Sequence, residues 1–286
     1  MLQTFTESHE RPLDEMRLPL DRAEMILKML CEGVSIRCSI ERLTDTHRDT
    51  IMRLLVLAGE RCEKLLGEKI RNVPVQDVEL DEIWSWVFCK ERVKRPEHDP
   101  SFGDNYCFVA VERNSKLVLN FALGKRDQKT TNVFIEGLRQ ATSAQPFQLS
   151  ADGFPCYPFA IESTLADRVD FAQLVKVYRA TPEGERRYSP AEVVSTERVP
   201  VIGNPDYKRI CTSIVERQNL TMRMQIRRLT RLTNAFSKKW ENLWAALCLH
   251  FAWYNFCRVH QTLRITPAME ARIADRVWEV RELLSA

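Results

Sequence analysis

The spacing of apolar residues changes from helical to extended at Pro74, and this change limits the folds that the chain can adopt. Beyond Pro74, short runs alternate apolar with polar residues, as strands do when one face is buried. The predicted order is three strands, one amphipathic helix and two more strands, at residues 78–88, 106–112, 116–123, 127–142, 147–151 and 169–178. With a turn over residues 113–115 joining the second and third strands, this order predicts a mixed α/β domain.

Helical spacing dominates the chain before Pro74. Residues 21–72 contain three helical runs, of which the first is broken by Gly33. Ser35 can cap the second helix, and Asp45 or Thr46 can cap the third. This is the pattern of a helix-turn-helix DNA-binding module, and an ordinary three-helix bundle is the alternative. The exposed residues expected near the start of the third helix are His47, Arg48, Thr50 and Arg53.

The length of 286 residues allows one large and one small domain, and the hydrophobic content of 44% supports a core. The net charge of +3 by itself says little about partners. Nine cysteines without a Cys-x-x-Cys pair, and no signal peptide, predict reduced thiols in the cytoplasm. The longest apolar run, residues 243–256, contains His250 and Asn255 and is too short to cross a bilayer, so no membrane partner is expected.

Three acidic residues lie where strands or helices could direct them at one centre. Asp81 lies on the first predicted strand, Asp152 follows the fourth, and Glu216 opens a later helix. Carboxylate oxygens suit magnesium or manganese ions. Two such ions about 4 Å apart can activate an attacking oxygen and stabilise a departing one. Each acid also has a structural alternative: a strand end for Asp81, a turn for Asp152, and a capping box from Ser213 for Glu216.

The segment from Lys208 to Lys239 is strongly basic, with nine Lys or Arg residues and one acid, Glu216. Such an excess is typical of surfaces that bind nucleic acid. We expect one helix from Glu216 onward, with its apolar residues facing the core and its arginines facing outward. Those arginines are Arg217, Arg223, Arg227, Arg228 and Arg231. Arg223 and Arg227 are expected on the face of Glu216, tracking a phosphate backbone, and a solvated helix surface is the alternative.

Three segments resemble transposases of the insertion-sequence-one type, which belong to the DDE class of transposases and integrases. They are DEIWSWVFCK from Asp81, SADGFPCY around Asp152, and the stretch from Glu216 to TNAFSKKWENLW. The resemblance implies an RNase H-like mixed-sheet catalytic domain over residues 75–270, preceded by an all-α helix-turn-helix module over 21–72. We expect residues 1–20 to be a tail and 271–286 to be a C-terminal helix. The 63 residues between Asp152 and Glu216 exceed the spacing usual in the family, so we expect an insertion loop at about 180–205.

The resemblance also implies an activity. Asp81, Asp152 and Glu216 would be the catalytic triad and would bind two Mg²⁺ or Mn²⁺ ions. The enzyme would cut double-stranded DNA at the terminal inverted repeats of its element and join the freed 3′ ends to target DNA. It would act as a homodimer or higher oligomer in the prokaryotic cytoplasm, at the nucleoid. The alternatives are a transposase-derived DNA-binding regulator without catalysis, and a nuclease that cuts without joining.

Five further residues are expected to support the site. Lys90 follows the first strand, Asn219 follows Glu216 by one helical turn, and Asn255, Arg258 and His260 lie in YNFCRVHQTLRITPAM, which resembles the closing segment of integrase-like transposases. A buried hydrogen-bond network is the alternative for the last three. Gln218, Lys238 and Lys239 are secondary candidates for DNA contacts.

Overall fold

The computed structural model describes residues 13, 16–178 and 193–284. In chain order the strands and α-helices are α1 (Leu20–Cys31), α2 (Glu41–Thr44), α3 (Arg48–Lys69), β1 (Asp77–Val87), β2 (Gly103–Glu112), β3 (Val118–Gly124), α4 (Gln128–Ala141), β4 (Phe147–Asp152), α5 (Tyr157–Leu165), β5 (Val169–Tyr178), β6 (Val193–Ile202), α6 (Ser213–Gln225), α7 (Trp240–Ala252) and α8 (Pro267–Glu270). Strands and helices follow one another in the mixed α/β order expected from the sequence.

Three helical segments precede the sheet. Ser35 caps a turn of π-helix at Ile36–Ile40 by accepting the Cys38 N–H. The cap of α3 is His47, whose Nδ1 accepts the Asp49 N–H at 3.3 Å, so the expectation of Asp45 or Thr46 at this place was wrong. Asp45 instead ends α2 in the left-handed conformation, which Asp tolerates better than most residues.

The strands that the structure describes form one mixed sheet in the order β3-β2-β1-β4-β5-β6. Strand β1 is antiparallel to β2 and parallel to β4, and β4 is parallel to β5. Strand β6 lies antiparallel to the edge of β5 and occupies residues that were expected to be an insertion loop over 180–205. Residues 179–192 of that expected loop lie outside the described residues.

Helices cover both faces of the sheet. On one face, Phe121 of β3 packs against Phe251 of α7, with ring centroids 4.4 Å apart. On the other face, Phe108 of β2 packs against Phe134 of α4 at 5.6 Å. By strand register, Asp81 lies on the face of Phe121 and Glu82 lies on the face of Phe108. The sheet therefore directs these two neighbouring acids to opposite layers.

Helix α3 packs closely on α7. A Cβ atom at Gly59 would lie 2.4 Å from the Cβ of Ala245, so the two helices can approach this closely only with glycine at that position. The N-terminal helices thus share a packing surface with the helix that covers the sheet.

The C-terminal part differs from the sequence prediction in two places. Helix α6 ends at Gln225, because Ile226 is extended, so the expected single helix does not reach Arg231. In place of a helix over 271–286, the chain forms a short 3₁₀ turn at Val280–Leu284, where its leucines are buried. Among the described residues, no helix has both the length and the apolar character needed to span a membrane.

Candidate metal centre and nucleic-acid interface

Three carboxylates meet where β1 and β4 run side by side. Asp81 and Glu82 lie on β1, and Asp152 is the last residue of β4. Because the two strands pair in parallel up to Leu80 and Ala151, the next residues, Asp81 and Asp152, are adjacent. One oxygen from each of the three acids lies within 4.8 Å of the other two. This spacing would let one divalent cation contact all three acids.

Glu82 joins this group although its strand position directs it to the opposite face from Asp81. Strand β4 ends at Asp152, so β1 has no β4 residue beside Glu82. The buried glutamate side chain lies beyond the paired part of β4, where one of its oxygens comes close to those of Asp81 and Asp152. Sequence reasoning missed Glu82, and the only signal for it was its position next to Asp81.

Burial and neighbouring charges raise the pKa of two acids in the cluster, Asp81 and Glu82. Burial raises the pKa of Asp81 to about 6, and the charges of Asp152 and Glu216 add to this rise. Burial also raises the pKa of Glu82 to about 7, with a further contribution from Asp152. Both shifts mean that the ionised forms are costly in the folded protein. A bound cation would remove much of that cost.

One cation of the protein itself faces the cluster. The Nε of Arg126 lies 3.2 Å from Oε2 of Glu82, and its Nη2 lies 3.7 Å from Oδ2 of Asp152. The guanidinium also stacks over the ring of Phe154 at 4.1 Å. Arg126 thus partly neutralises two of the three acids, and no sequence pattern predicted this role.

Helix α6 brings two predicted residues to this region. Asn219 donates a hydrogen bond from Nδ2 to Oδ2 of Asp81 at 2.8 Å. Glu216, one turn earlier on the helix, accepts a hydrogen bond from the Thr212 hydroxyl at 2.7 Å and pairs with Lys176 of β5. Glu216 is not one of the acids within 4.8 Å of each other, but it is near enough to raise the pKa of Asp81.

The start of α6 is held by an acid that the sequence did not single out. Oε2 of the buried Glu79 accepts the N–H groups of Ile214 at 2.7 Å and Val215 at 3.1 Å. The capping box between Ser213 and Glu216 is not formed, because the helix begins after Thr212 without a side-chain cap. Glu79 therefore performs the capping role from β1, and the Glu216 carboxylate is not needed for it.

Of the five arginines expected to face outward, three are exposed. They are Arg217 on α6, Arg227 in a 3₁₀ turn, and Arg231 after that turn. Arg227 lies beyond the end of α6, so the expectation that it shares a helical face with Glu216 was wrong. These exposed arginines remain candidates for phosphate contacts.

The other two arginines turn inward, which corrects the expectation that they face solvent. Arg223 donates to the backbone oxygens of Leu229 at 3.0 Å and Trp84 at 3.3 Å. Arg228 contacts the Ser237 hydroxyl at 3.4 Å and the sulfur of Met52 at 3.2 Å. Burial lowers the pKa of each guanidinium to about 10, so both remain charged at neutral pH.

The N-terminal candidates lie at the start of α3. Arg48 and Arg53 are exposed and Thr50 is half-buried. The Arg48 guanidinium lies 3.6 Å from the carboxylate of Asp49, and its backbone N–H donates to Glu41. Their role in reading DNA stays a prediction.

Among the residues expected to support the site, Asn219 contacts the acids and the others have different partners in the part of the chain that the structure describes. Both amide atoms of the buried Asn255 bind the backbone of Val118, which matches the alternative of a buried hydrogen-bond network. The remaining contacts are Lys90 over the Trp86 ring, Arg258 with Gln225, and His260 with Thr262.

Comparison with known proteins gives matches among solved structures only. No protein-family model and no curated protein sequence matches the chain. A piggyBac transposase synaptic complex with hairpin DNA aligns with 95% of this chain and 72% of its own, at 10% identity and a TM-score of 0.41. A Mos1 transposase paired-end complex with the left transposon end aligns with 59% of this chain and 62% of its own, at 13% identity and a TM-score of 0.23.

The Mos1 strand transfer complex aligns with 86% of this chain and 77% of its own, at 12% identity and a TM-score of 0.24. All three are transposase structures. Their TM-scores and identities are too low to carry any inference about function, which must therefore come from the geometry of the acidic cluster.

Proposed function

We propose that this protein is a DDE transposase that cleaves DNA at element ends and transfers the freed strand to target DNA, using divalent metal ions. The observation that carries this proposal is the group formed by Asp81, Glu82 and Asp152, with α6 placing Asn219 on Asp81. DNA binding alone requires no such convergence of carboxylates. The insertion-sequence-one type follows from the sequence resemblance alone.

Asp81 and Asp152 would hold the metal ions, and Mg²⁺ or Mn²⁺ fits the oxygen donors that they present. When bound, two such ions activate the attacking oxygen and stabilise the leaving one. Asn219 donates to Oδ2 of Asp81 and the Glu82 N–H donates to Oδ1 at 2.8 Å, so both oxygens are held in place and each retains a lone pair for an ion. Glu79 holds the start of α6 and so positions both Asn219 and Glu216 over the sheet.

The third catalytic carboxylate is the point on which sequence and geometry differ. We retain Glu216 in this role, as the sequence resemblance implies, with Lys176 balancing its charge in the absence of metal. Glu82, which lies nearer to the two aspartates, would then pair with Arg126 and hold it beside the metal site.

The partner is double-stranded DNA, comprising the terminal inverted repeats and the target. Exposed Arg217, Arg227 and Arg231 supply positive charge on and after α6, and Arg48 and Arg53 supply it at the start of α3. An enzyme that acts on both ends of its element would function as a homodimer or higher oligomer. Such an enzyme would act at the prokaryotic nucleoid.

A DNA-binding regulator without catalysis is the second candidate. One observation favours it: Arg126 and Lys176 pair with Glu82, Asp152 and Glu216, so the protein's own cations already balance part of the acidic charge. The two functions differ in whether the cluster binds metal and cuts DNA.

The test uses purified full-length protein, linear DNA carrying the element's ends, and Mg²⁺ or Mn²⁺. Asp81→Asn, Asp152→Asn and Glu216→Gln should each reduce cleavage and strand transfer to background while DNA binding persists. Asp167→Asn is the matched control, because this exposed acid pairs with Arg139 outside the cluster. Wild-type protein that binds the ends but neither cuts nor binds Mn²⁺ would establish the regulator instead.

Glu82→Gln decides between the two glutamates. If Glu216 is the third catalytic carboxylate, Glu82→Gln should keep measurable strand transfer and Glu216→Gln should not. The reverse result would assign the third carboxylate to Glu82. Glu162→Gln, an exposed acid on α5, controls for loss of a glutamate charge.

A further inference from the structure

A second polar site lies between the N-terminal helices and α7, outside the acidic cluster. It is a cavity of about 680 Å³ bordered by the end of α1, the start of α3, the segment after α6, and α7. Its volume is within the range of about 300–1,000 Å³ that small-molecule sites usually occupy. One nucleotide would fit such a space.

The lining of the cavity is strongly basic. Five cationic side chains border it, namely Arg37, Arg48, Arg227, Arg228 and Lys238. Of the described lining residues, Asp49 alone is acidic, and it already pairs with Arg48 at 3.6 Å. The excess of positive charge in a partly enclosed space favours an anionic ligand.

Arg228 is the most informative of these cations. Its guanidinium is partly removed from water, since the residue is half-buried, and its side-chain partners are the hydroxyl of Ser237 and the thioether sulfur of Met52. No carboxylate in residues 13, 16–178 and 193–284 forms an ion pair with it, and burial is the only influence on its pKa. Buried charges are usually paired, and a guanidinium matches the oxygens of a phosphate in a bidentate manner.

His250 of α7 supplies a different kind of group. The side chain is only 2% exposed, and neither ring nitrogen has a hydrogen-bond partner in the described part of the chain. Burial lowers its pKa to about 3, with Arg258 adding to the effect, so the ring is neutral at physiological pH. A neutral imidazole offers one donor and one acceptor, which suits the edge of a nucleobase better than a phosphate.

Apolar and aromatic side chains complete the lining. Phe236, Met52 and Leu249 border the cavity beside the polar groups. An aromatic ring and aliphatic surfaces can hold a flat heterocycle, while the cations hold its phosphate. This combination of side chains is complementary to a ligand with one apolar aromatic part and one anionic part.

We propose that this cavity binds a single nucleotide, with Arg228 on the phosphate and His250 on the base edge. The nucleotide has two sources with the same chemistry: a free mononucleotide, or one residue of a DNA strand that enters the cavity. The site does not depend on the acidic cluster or on its catalytic role.

The experiment measures binding of deoxynucleoside monophosphates to the full chain by calorimetry, in EDTA so that no metal complex can attach to the acidic cluster. Inorganic phosphate and the unphosphorylated nucleosides are measured in parallel. We expect saturable binding of the mononucleotides that is at least about tenfold tighter than that of either part alone. A trinucleotide that binds more tightly than a mononucleotide identifies a DNA strand as the source, and the opposite order identifies the free nucleotide.

Two substitutions locate the site. Arg228→Met should weaken nucleotide binding by about 10- to 100-fold, because a bond to a charged group is lost. His250→Phe should also weaken binding, yet it should raise the unfolding temperature of the ligand-free protein, since it removes a buried polar ring without partners. Arg22→Met, an exposed arginine of α1 outside the lining, should leave binding unchanged.

Several results would overturn the proposal. They are the absence of saturable binding by the wild-type protein, phosphate binding as tight as nucleotide binding, and nucleotide affinity that both cavity substitutions leave unchanged. If Arg228→Met fails to fold, Arg227→Ala at the exposed rim provides the second variant, and it should weaken the phosphate contribution alone. None of these outcomes depends on DNA cleavage, so failure here is distinguishable from failure of the transposase proposal.

Discussion

Replacing Glu79 should loosen the helix that covers the acidic cluster. Its carboxylate is buried on β1 and accepts the first free N–H groups of α6, from Ile214 and Val215. The first N–H groups of a helix have no partner within the helix. In Glu79→Ala these two donors lose their acceptor, and α6 loses its link to the sheet 135 residues earlier in the chain.

The magnitude follows from two opposing contributions. Each hydrogen bond to a charged acceptor contributes about 1.5–3 kcal/mol, so two give about 3–6 kcal/mol. Burial raises the pKa of Glu79, which means that keeping it ionised costs part of that gain. We therefore expect a net loss of about 2–4 kcal/mol in the free energy of unfolding. For a chain of 286 residues, whose unfolding entropy is about 0.6 kcal/mol/K, that corresponds to a fall of about 3–7 °C in Tm.

Thermal and urea unfolding measure this loss, and strand transfer measures its consequence for Asn219 and Glu216. Glu79→Gln keeps a neutral acceptor oxygen and should lose about half as much stability. Glu136→Ala, an exposed acid of α4, serves as the control and should change stability by less than about 0.5 kcal/mol. If Glu79→Ala unfolds at the wild-type temperature, the capping role is refuted.

Three further predictions follow from the same structure. Folding raises the pKa of Asp81 to about 6 and of Glu82 to about 7, so their ionisation destabilises the metal-free fold. The free energy of unfolding should therefore fall from about pH 4 to about pH 7 in EDTA, and Mg²⁺ should restore it at higher pH. An Asp81→Asn/Glu82→Gln variant with the wild-type pH profile would contradict this. Gly59→Ala should lower Tm, because the added methyl group clashes with α7. Gly67→Ala on the same helix has nothing within 4 Å and should raise the free energy of unfolding by about 1 kcal/mol. Equal effects on Tm would show that the helices separate freely. Arg126→Gln should tighten Mn²⁺ binding by removing a competing cation, and weaker binding in calorimetry would show instead that Arg126 organises the acids.

The order of elements and two of the three clustered acids could be predicted from the sequence. Alternating and helical spacing are local signals, and they correctly identified the strands after Pro74 and the segment that starts α6. Asp81 and Asp152 were predicted from their joint sequence context, which resembles that of DDE transposases, and adjacent parallel strands bring the two residues together. The fold class therefore follows from patterns that each span a few residues.

Other features were decided only by contacts between residues distant in sequence. Glu82 enters the cluster because β4 ends beside it, and β6 forms because its residues pair with the edge of β5. Which basic residues are exposed and which are buried could not be predicted from the sequence either. Arg228 belongs to a basic segment typical of DNA-binding surfaces, yet its side chain contacts Met52 of α3.

The physical reason is the range of the interactions. Periodicity reports which face of a strand or helix is apolar, and that choice is made within one element. The direction of a charged side chain depends on which acceptor or ion lies near it after folding, as with Glu79 and the start of α6. The sequence by itself determined the mixed sheet and the pair of aspartates. The third carboxylate of the cluster, the helix cap and the inward arginines were decided by the tertiary structure.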